Sequence, residues 1–219
     1  MKKVLKIIGI VLGVIIAAAL IYVAYVFISF HRIEDDQQLE VQTAEAADAS
    51  DTVAEALRTG TELTAISYNI GFGAYSDDYT FFMDGGKESW AFSKEAVYEN
   101  ITGAMSAIEP YDPDIALIQE VDIDVFAQNY DSPFLLYPLT QPHGANKAGI
   151  MTFSNTGITS AIRKSLPIEN GFSKVLDLDR CYSKSRVPVE NGKELVIYNL
   201  HLSAYTANAE TAETQLSML

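Results

Sequence analysis

The sequence predicts a layered α/β (α+β) domain preceded by a single membrane-spanning helix, and three observations carry that prediction. Lys2, Lys3 and Lys6 precede an uncharged run of 24 residues, 7–30, long enough at helical rise to cross the roughly 30 Å hydrocarbon core of a bilayer. Strand-like residues 63–70 (LTAISYNI) are followed by a helical pattern from Lys94 to about Ile108 and by a short apolar run at 115–119, the strand, helix, strand order that opens an α/β layered domain. Further strand-like runs recur downstream, two of them joined through Asn191-Gly192, the strongest short hairpin signal.

Taken in order, residues 1–6 form a basic N-terminus and 7–30 an uncleaved transmembrane anchor. Ala17-Ala18-Ala19 mimics a small-residue cleavage site, but the apolar run continues well past the length of a signal-peptide core. Three lysines before the run against Arg32 after it keep the N-terminus cytoplasmic and place the remainder outside. Residues 31–60 read as an acidic linker, since 34–55 holds eight acidic residues and no Lys or Arg and cannot bury much apolar surface. Residues 61–219 form the folded domain. Gly71 and Gly73 break the first strand into an aromatic loop, 72–93, expected to overhang a site. Ser93 caps the helix, with Ala96, Val97, Ile101, Ala104, Met105 and Ile108 on one face, and Pro110 and Pro113 end it. Strands are expected at 148–154, 175–178, 185–189 and 194–200, and a last helix at 207–219.

The 219 residues, 48% hydrophobic, suffice for one substantial core. The net charge is −14, and from Arg58 onward 21 acidic against 11 basic residues leave −10. That balance disfavours tight nucleic-acid binding, which needs a basic face. A local cationic patch or a bound divalent metal still leaves a nuclease admissible. Cys181 is the only cysteine, so the fold holds without an intramolecular disulfide.

Three polar residues stand at the ends of strand-like runs: Asn69 in SYNIGFG, Glu120 in DIALIQEVD and His201 in YNLHLSAY. Each has a bland reading alone: an Asn before glycine is a turn residue, a strand-end Glu pairs with a base, and a strand-end His is a satisfied structural group. His143, in a Gln-Pro-His-Gly loop, is assigned to that class. Together they suit phosphoric ester hydrolysis, which needs a divalent cation, donors for developing charge and a group that orients water. A carboxylate at the end of an apolar strand is costly without a compensating cation, an amide can hold a phosphate oxygen or a metal-bound water, and an imidazole can donate to a phosphoryl oxygen or move a proton.

The order of Tyr68-Asn69-Ile70, Ile118-Gln119-Glu120-Val121-Asp122 and Asn199-Leu200-His201-Leu202, with an arginine on a middle strand, resembles the endonuclease/exonuclease/phosphatase superfamily over residues 63–219. The resemblance implies a two-layer β-sandwich flanked by helices and a metal-dependent phosphoric ester hydrolase using Mg²⁺ or Mn²⁺. In it Glu120 is the metal ligand, Asn69 contacts phosphate or metal-bound water and His201 donates to the scissile phosphate, while register against the His201 strand favours Arg186 over Arg180 as the site arginine. The partners implied are a phosphate-ester substrate of unspecified class and the membrane. The superfamily's Gly-Asp-x-Asn and Ser-Asp-His segments would follow residue 219, so a longer protein is expected, with this stretch alone inactive or residually active. The alternative is an inactive, membrane-anchored binding module that keeps the phosphate-recognising edge.

Overall fold

The computed structural model describes residues 2–43, 56–122, 134–136, 148–168, 171, 174–175, 178–203 and 209–219. Helix α1 (Lys2–Ser29) has no buried residue and is long and apolar enough to cross a membrane. The remaining described residues build two sheets and two helices, an α+β arrangement.

The strands are β1 (Gln37–Leu39), β2 (Gln42–Thr43), β3 (Ala65–Asn69), β4 (Ile115–Asp122), β5 (Phe134–Leu136), β6 (Ala148–Ser154), β7 (Ser160–Ser165), β8 (Cys181–Pro188) and β9 (Glu194–Leu200). Helix α2 (Lys94–Ile108) joins β3 to β4, and α3 (Ala209–Leu216) follows β9. One sheet has the order β1-β7-β8-β9 and is antiparallel throughout; the other has the order β2-β5-β6-β4-β3, with β3 and β4 parallel across the α2 crossover. Ser93 caps α2 by accepting the Ala96 N–H at 3.1 Å.

Alternation along β4 sorts its side chains into two cores. Ala116 and Ile118 face α2 and pack with Ile101, Ile108, Met151 and Phe153. Ile115 and Leu117 face the other sheet and pack with Ala161, Val187 and Ile197. The five-stranded sheet is thus the middle layer, with α2 on one face and the four-stranded sheet on the other. The single thiol, Cys181, is buried, and burial pushes it up to about 11, so it is a packing group.

Part of the expected linker is instead structure. β1 pairs with β7 and β2 with β5, and Leu39 and Val41 pack into the core between the sheets. Leu57 bridges Val189, and its N–H donates to the Pro188 carbonyl at 2.8 Å. Two of the charges that argued for a solvated tether, Asp35 and Asp36, are spent on anchoring. Asp35 Oδ1 accepts the Ser165 N–H at 2.7 Å, and Asp36 takes Lys164 at 2.8 Å. Nearest α1, Arg32 reaches buried Asp179 at 2.7 Å, and the Ile33 N–H donates to the same carboxylate at 2.6 Å. Asp179 also faces the wholly buried Arg163. Residues 44–55 lie outside the described residues.

Other expectations shift less. Of the strand expected at 175–178, Val175 lies in a short turn and Leu178 in no strand. β8 begins at Cys181 rather than 185, and β7 was not anticipated because SAIRKS carries two basic residues. The last helix occupies Ala209–Leu216 within the expected 207–219.

Candidate functional site

Asn69 is the last residue of β3 and pairs with Gln119, so it lies beside the residue that precedes Glu120 on the adjacent parallel strand. Its Oδ1 accepts the Gly71 N–H at 2.9 Å, an Asx turn that leaves the side-chain amide directed at Glu120, to which it is hydrogen-bonded. Just beyond, the backbone of Gly71, Phe72 and Gly73 stays at positive φ for three residues (55°, 56° and 68°). A Cβ on Gly71 would sit 1.9 Å from the Tyr75 ring, and one on Gly73 would sit 2.8 Å from Ile101 on α2. Asn100 on α2 braces the turn by donating to the Gly73 carbonyl at 2.9 Å. Gly71→Ala combines left-handed strain with a clash against a ring. It is expected to cost at least about 1–3 kcal/mol and to displace Asn69, read as a drop of several degrees in melting temperature; an unchanged value would show that the turn is not required.

Glu120 does not end its strand, as the sequence suggested. β4 continues to Asp122, and Glu120 sits inside it at a bulge between Gln119 and Val121, with φ of 53°. Regular alternation would have put Glu120 on the same face as Ile118, its carboxylate under α2. The bulge returns Val121 to that core and turns Glu120 out of it. Backbone strain of order 1–3 kcal/mol is thereby exchanged for the larger cost of burying a charge in an apolar core.

His201 follows β9 directly. The register pairs Leu200 with Tyr182, which brings His201 to the start of β8, where Arg180 donates to its Nδ1 at 2.8 Å. The other ring nitrogen, Nε2, lies 3.3 Å from Glu120 Oε1. The Arg180 Nη1 also lies 3.3 Å from Nε2, the longer of its two contacts with the ring. Burial, and next the Arg180 charge, push His201 down to about 4. The imidazole is therefore neutral at physiological pH, and its 3.3 Å approach to Glu120 is a close contact rather than an ion pair. Burial raises the Glu120 carboxyl above its ordinary value, outweighing the Asn69 hydrogen bond and the Arg180 charge that lower it.

The structure thus brings Asn69, Glu120 and His201 together. It does not bring Arg186. Alternation on β8 points Cys181, Ser183, Ser185 and Val187 inward and Arg186 outward, opposite Val196, where it pairs with Glu194. The arginine expectation is corrected to Arg180, six residues nearer the start of β8. His143 lies outside the described residues. A cleft of about 510 Å³ opens beside Asn69 and Glu120, lined also by Tyr68, Tyr75, Asp84, Glu99 and Asn100. The 72–93 loop supplies Tyr75 and Asp84 to it, and α2 supplies Glu99 and Asn100. These last two were not anticipated, because their only signal was a polar position opposite the apolar face of α2.

The pH response follows from His201. Its proton binds less readily in the folded than in the unfolded chain, so its stabilising contribution is complete above about 6.5 and is lost as pH falls from there through about 4. Glu120 acts oppositely, since its raised value lets the folded state recover stability as the carboxyl protonates. Urea unfolding in EDTA at a series of pH values is expected to show stability falling across that window, and His201→Gln is expected to flatten the fall. Parallel curves for the two proteins would exclude the assignment.

Among the described residues no three His, Cys, Asp or Glu side chains form a group able to hold a metal by themselves. The donor set nevertheless fits a hard cation of the magnesium type, which is held through one or two carboxylates with waters and substrate phosphate completing the shell. Glu120 is a partly desolvated carboxylate whose burial is undercompensated, with an amide beside it and an open cleft in front.

No protein-family model matches the chain, and no curated protein matches it. Among solved structures it is similar to an endonuclease/exonuclease/phosphatase from Beutenbergia cavernae DSM 12333 (18% identity, TM-score 0.48, covering 71% of this chain and 42% of that one). It is likewise similar to ANGEL2, a 2′,3′-cyclic phosphatase (15%, 0.49, 83% and 48%), and to D. rerio TDP2 complexed with single-strand DNA product (16%, 0.48, 71% and 52%). The chain spans about half the length of these structures.

Proposed function

We propose that these residues carry the phosphate- and metal-binding edge of a metal-dependent phosphoric ester hydrolase of the endonuclease/exonuclease/phosphatase type. The observation that carries the reading is the placement of Glu120 at a strained bulge between the Asn69 amide and the His201 imidazole, with Arg180 against the ring. Four polar groups drawn from four separate stretches of chain, one of them held in an unfavourable backbone conformation, are assembled at one end of the sandwich.

In this reading Glu120 holds Mg²⁺ or Mn²⁺, which when bound neutralises phosphoryl charge as a Lewis acid. Asn69, its carbonyl already committed to Gly71, offers N–H to a phosphate oxygen or to a water. His201, neutral at physiological pH, offers a ring N–H to a phosphoryl oxygen. Arg180 holds the ring in place and contributes fixed positive charge beside it. α1 serves as the membrane anchor, N-terminus cytoplasmic, with the folded part outside.

The test is Mg²⁺-dependent hydrolysis of bis(p-nitrophenyl) phosphate by the product of the complete reading frame that encodes these residues. Turnover is expected there and is expected to disappear in EDTA. Protease added outside intact cells is expected to reach the domain, and removal of α1 to release it from the membrane fraction. Metal-independent turnover would refute the chemistry, and a protected domain would refute the topology.

A further inference from the structure

Glu120 and His201 belong to different layers: Glu120 lies in β4 of the five-stranded sheet and His201 follows β9 of the four-stranded one. Their contact therefore depends on how one sheet is registered on the other. Apolar packing between sheets is non-directional and opposes sliding only weakly. Between these sheets, however, is a polar bridge made by the residues that precede the two site groups. Gln119 Nε2 donates to Asn199 Oδ1 at 2.8 Å, across 80 residues of chain. Asn199 Nδ2 in turn donates to the Met151 carbonyl at 2.9 Å and to Thr152 Oγ1 at 3.1 Å on β6. Gln119, Thr152 and Asn199 are all buried, at 8%, 0% and 1% exposure.

We propose that the Gln119–Asn199 amide pair is a register pin between the two sheets that holds His201 against Glu120, so that both amides are positioning residues for the site proposed above, on which reading the inference rests. The physical ground is directionality. A slide of about 1 Å leaves an apolar contact nearly intact but takes a hydrogen bond out of range, and an amide buried this deeply has no water to turn to. The lever arms are short: Glu120 is the next residue after Gln119, and His201 is two residues after Asn199. Buried polar groups used in this way specify arrangement more than they add stability.

That distinction gives the test. Gln119→Met, Thr152→Val and Asn199→Leu introduced together preserve volume and leave no side-chain amide unpaired, so the melting temperature is expected to stay within a few degrees of the parent. The crystal structure of this variant is expected to show the His201 Nε2 to Glu120 Oε1 separation lengthened from 3.3 Å to beyond hydrogen-bonding range. Turnover of the full product is expected to fall about 10²-fold in kcat with KM little changed. A separation that stays at its native value would overturn the proposal. Should the triple variant not fold, the exchange Gln119→Asn with Asn199→Gln keeps the amide pair and the atom count and is expected to retain the contact. Loss of the contact with the amides still bonded would equally overturn the proposal. A parent protein without hydrolytic activity, in which the separation still responds, would sink the functional reading and leave the pin standing.

Discussion

Asp179→Ala is expected to cost about 3–5 kcal/mol of folding stability, the range for removing one partner of a buried ion pair. The Asp179 carboxylate is fully buried between Arg163, also fully buried, and the half-exposed Arg32. Arg163 keeps bonds to the Asp179 carbonyl at 3.0 Å and to Ser165 Oγ at 2.7 Å, but neither carries charge. Truncation takes the Asp179 carboxylate away from a buried guanidinium and strands the Ile33 N–H. Against a total stability of about 5–15 kcal/mol this is a large fraction, equivalent to a fall of roughly 6–20 °C in melting temperature for a domain of this size. Thermal unfolding in detergent checks it. Replacing Arg32, Asp179 and Arg163 together by apolar residues of similar volume should recover most of the loss, because the penalty comes from burying charge without the Asp179 carboxylate; an additive triple loss would contradict this.

The second large effect falls on activity. Glu120→Gln is expected to lower Mg²⁺-dependent hydrolysis by the full product at least about 10²- to 10³-fold, on the scale of removing one preorganised charge-stabilising group. Its stability should not fall. The raised carboxyl value means that the ionised form opposes folding above the unfolded value of 4.5, so a neutral isostere removes a liability at pH 7. Glu120→Gly should go further, since glycine adopts a φ of 53° without strain, and a gain of about 1 kcal/mol is expected. Loss of function joined to a gain in stability is the mark of a residue kept for chemistry. Loss of both would mean that Glu120 is structural.

How much of this was legible in the sequence depends on the range of the interaction concerned. The α2 boundaries were readable because a capping Ser93 and two prolines act locally. The β8–β9 hairpin was readable from Asn191-Gly192, where Gly192 takes φ of 78°. The meeting of Asn69, Glu120 and His201 was inferred from motif order, and β3–β4 pairing with β9 register places them together. The bulge at Glu120 was not legible, because LIQEVD carries no glycine or proline to mark it; only burial on both faces of β4 makes an irregular strand preferable to a regular one. Arg186 misled because its proximity to the His201 strand is real while its face and its end of the hairpin are wrong, and an alternating strand gives no sign of which end will carry a site. The segment 31–43 misled for a related reason. Its acidic residues match basic partners more than 120 positions away, Asp36 with Lys164 for example, and no local composition measure records complementarity at that distance.

That docking of the chain immediately after α1 has a geometric consequence. Only Phe30 and His31 separate the end of the helix from clamped Arg32, and two residues extend at most about 7 Å. With α1 embedded, the domain is a fixture of the bilayer surface rather than a float on a line. Its cleft sweeps a thin slab of solvent, and the effective concentration of anything adsorbed to that surface rises as the lead shortens. For a substrate adsorbed to that surface, encounter would become a search in two dimensions, limited by lateral diffusion.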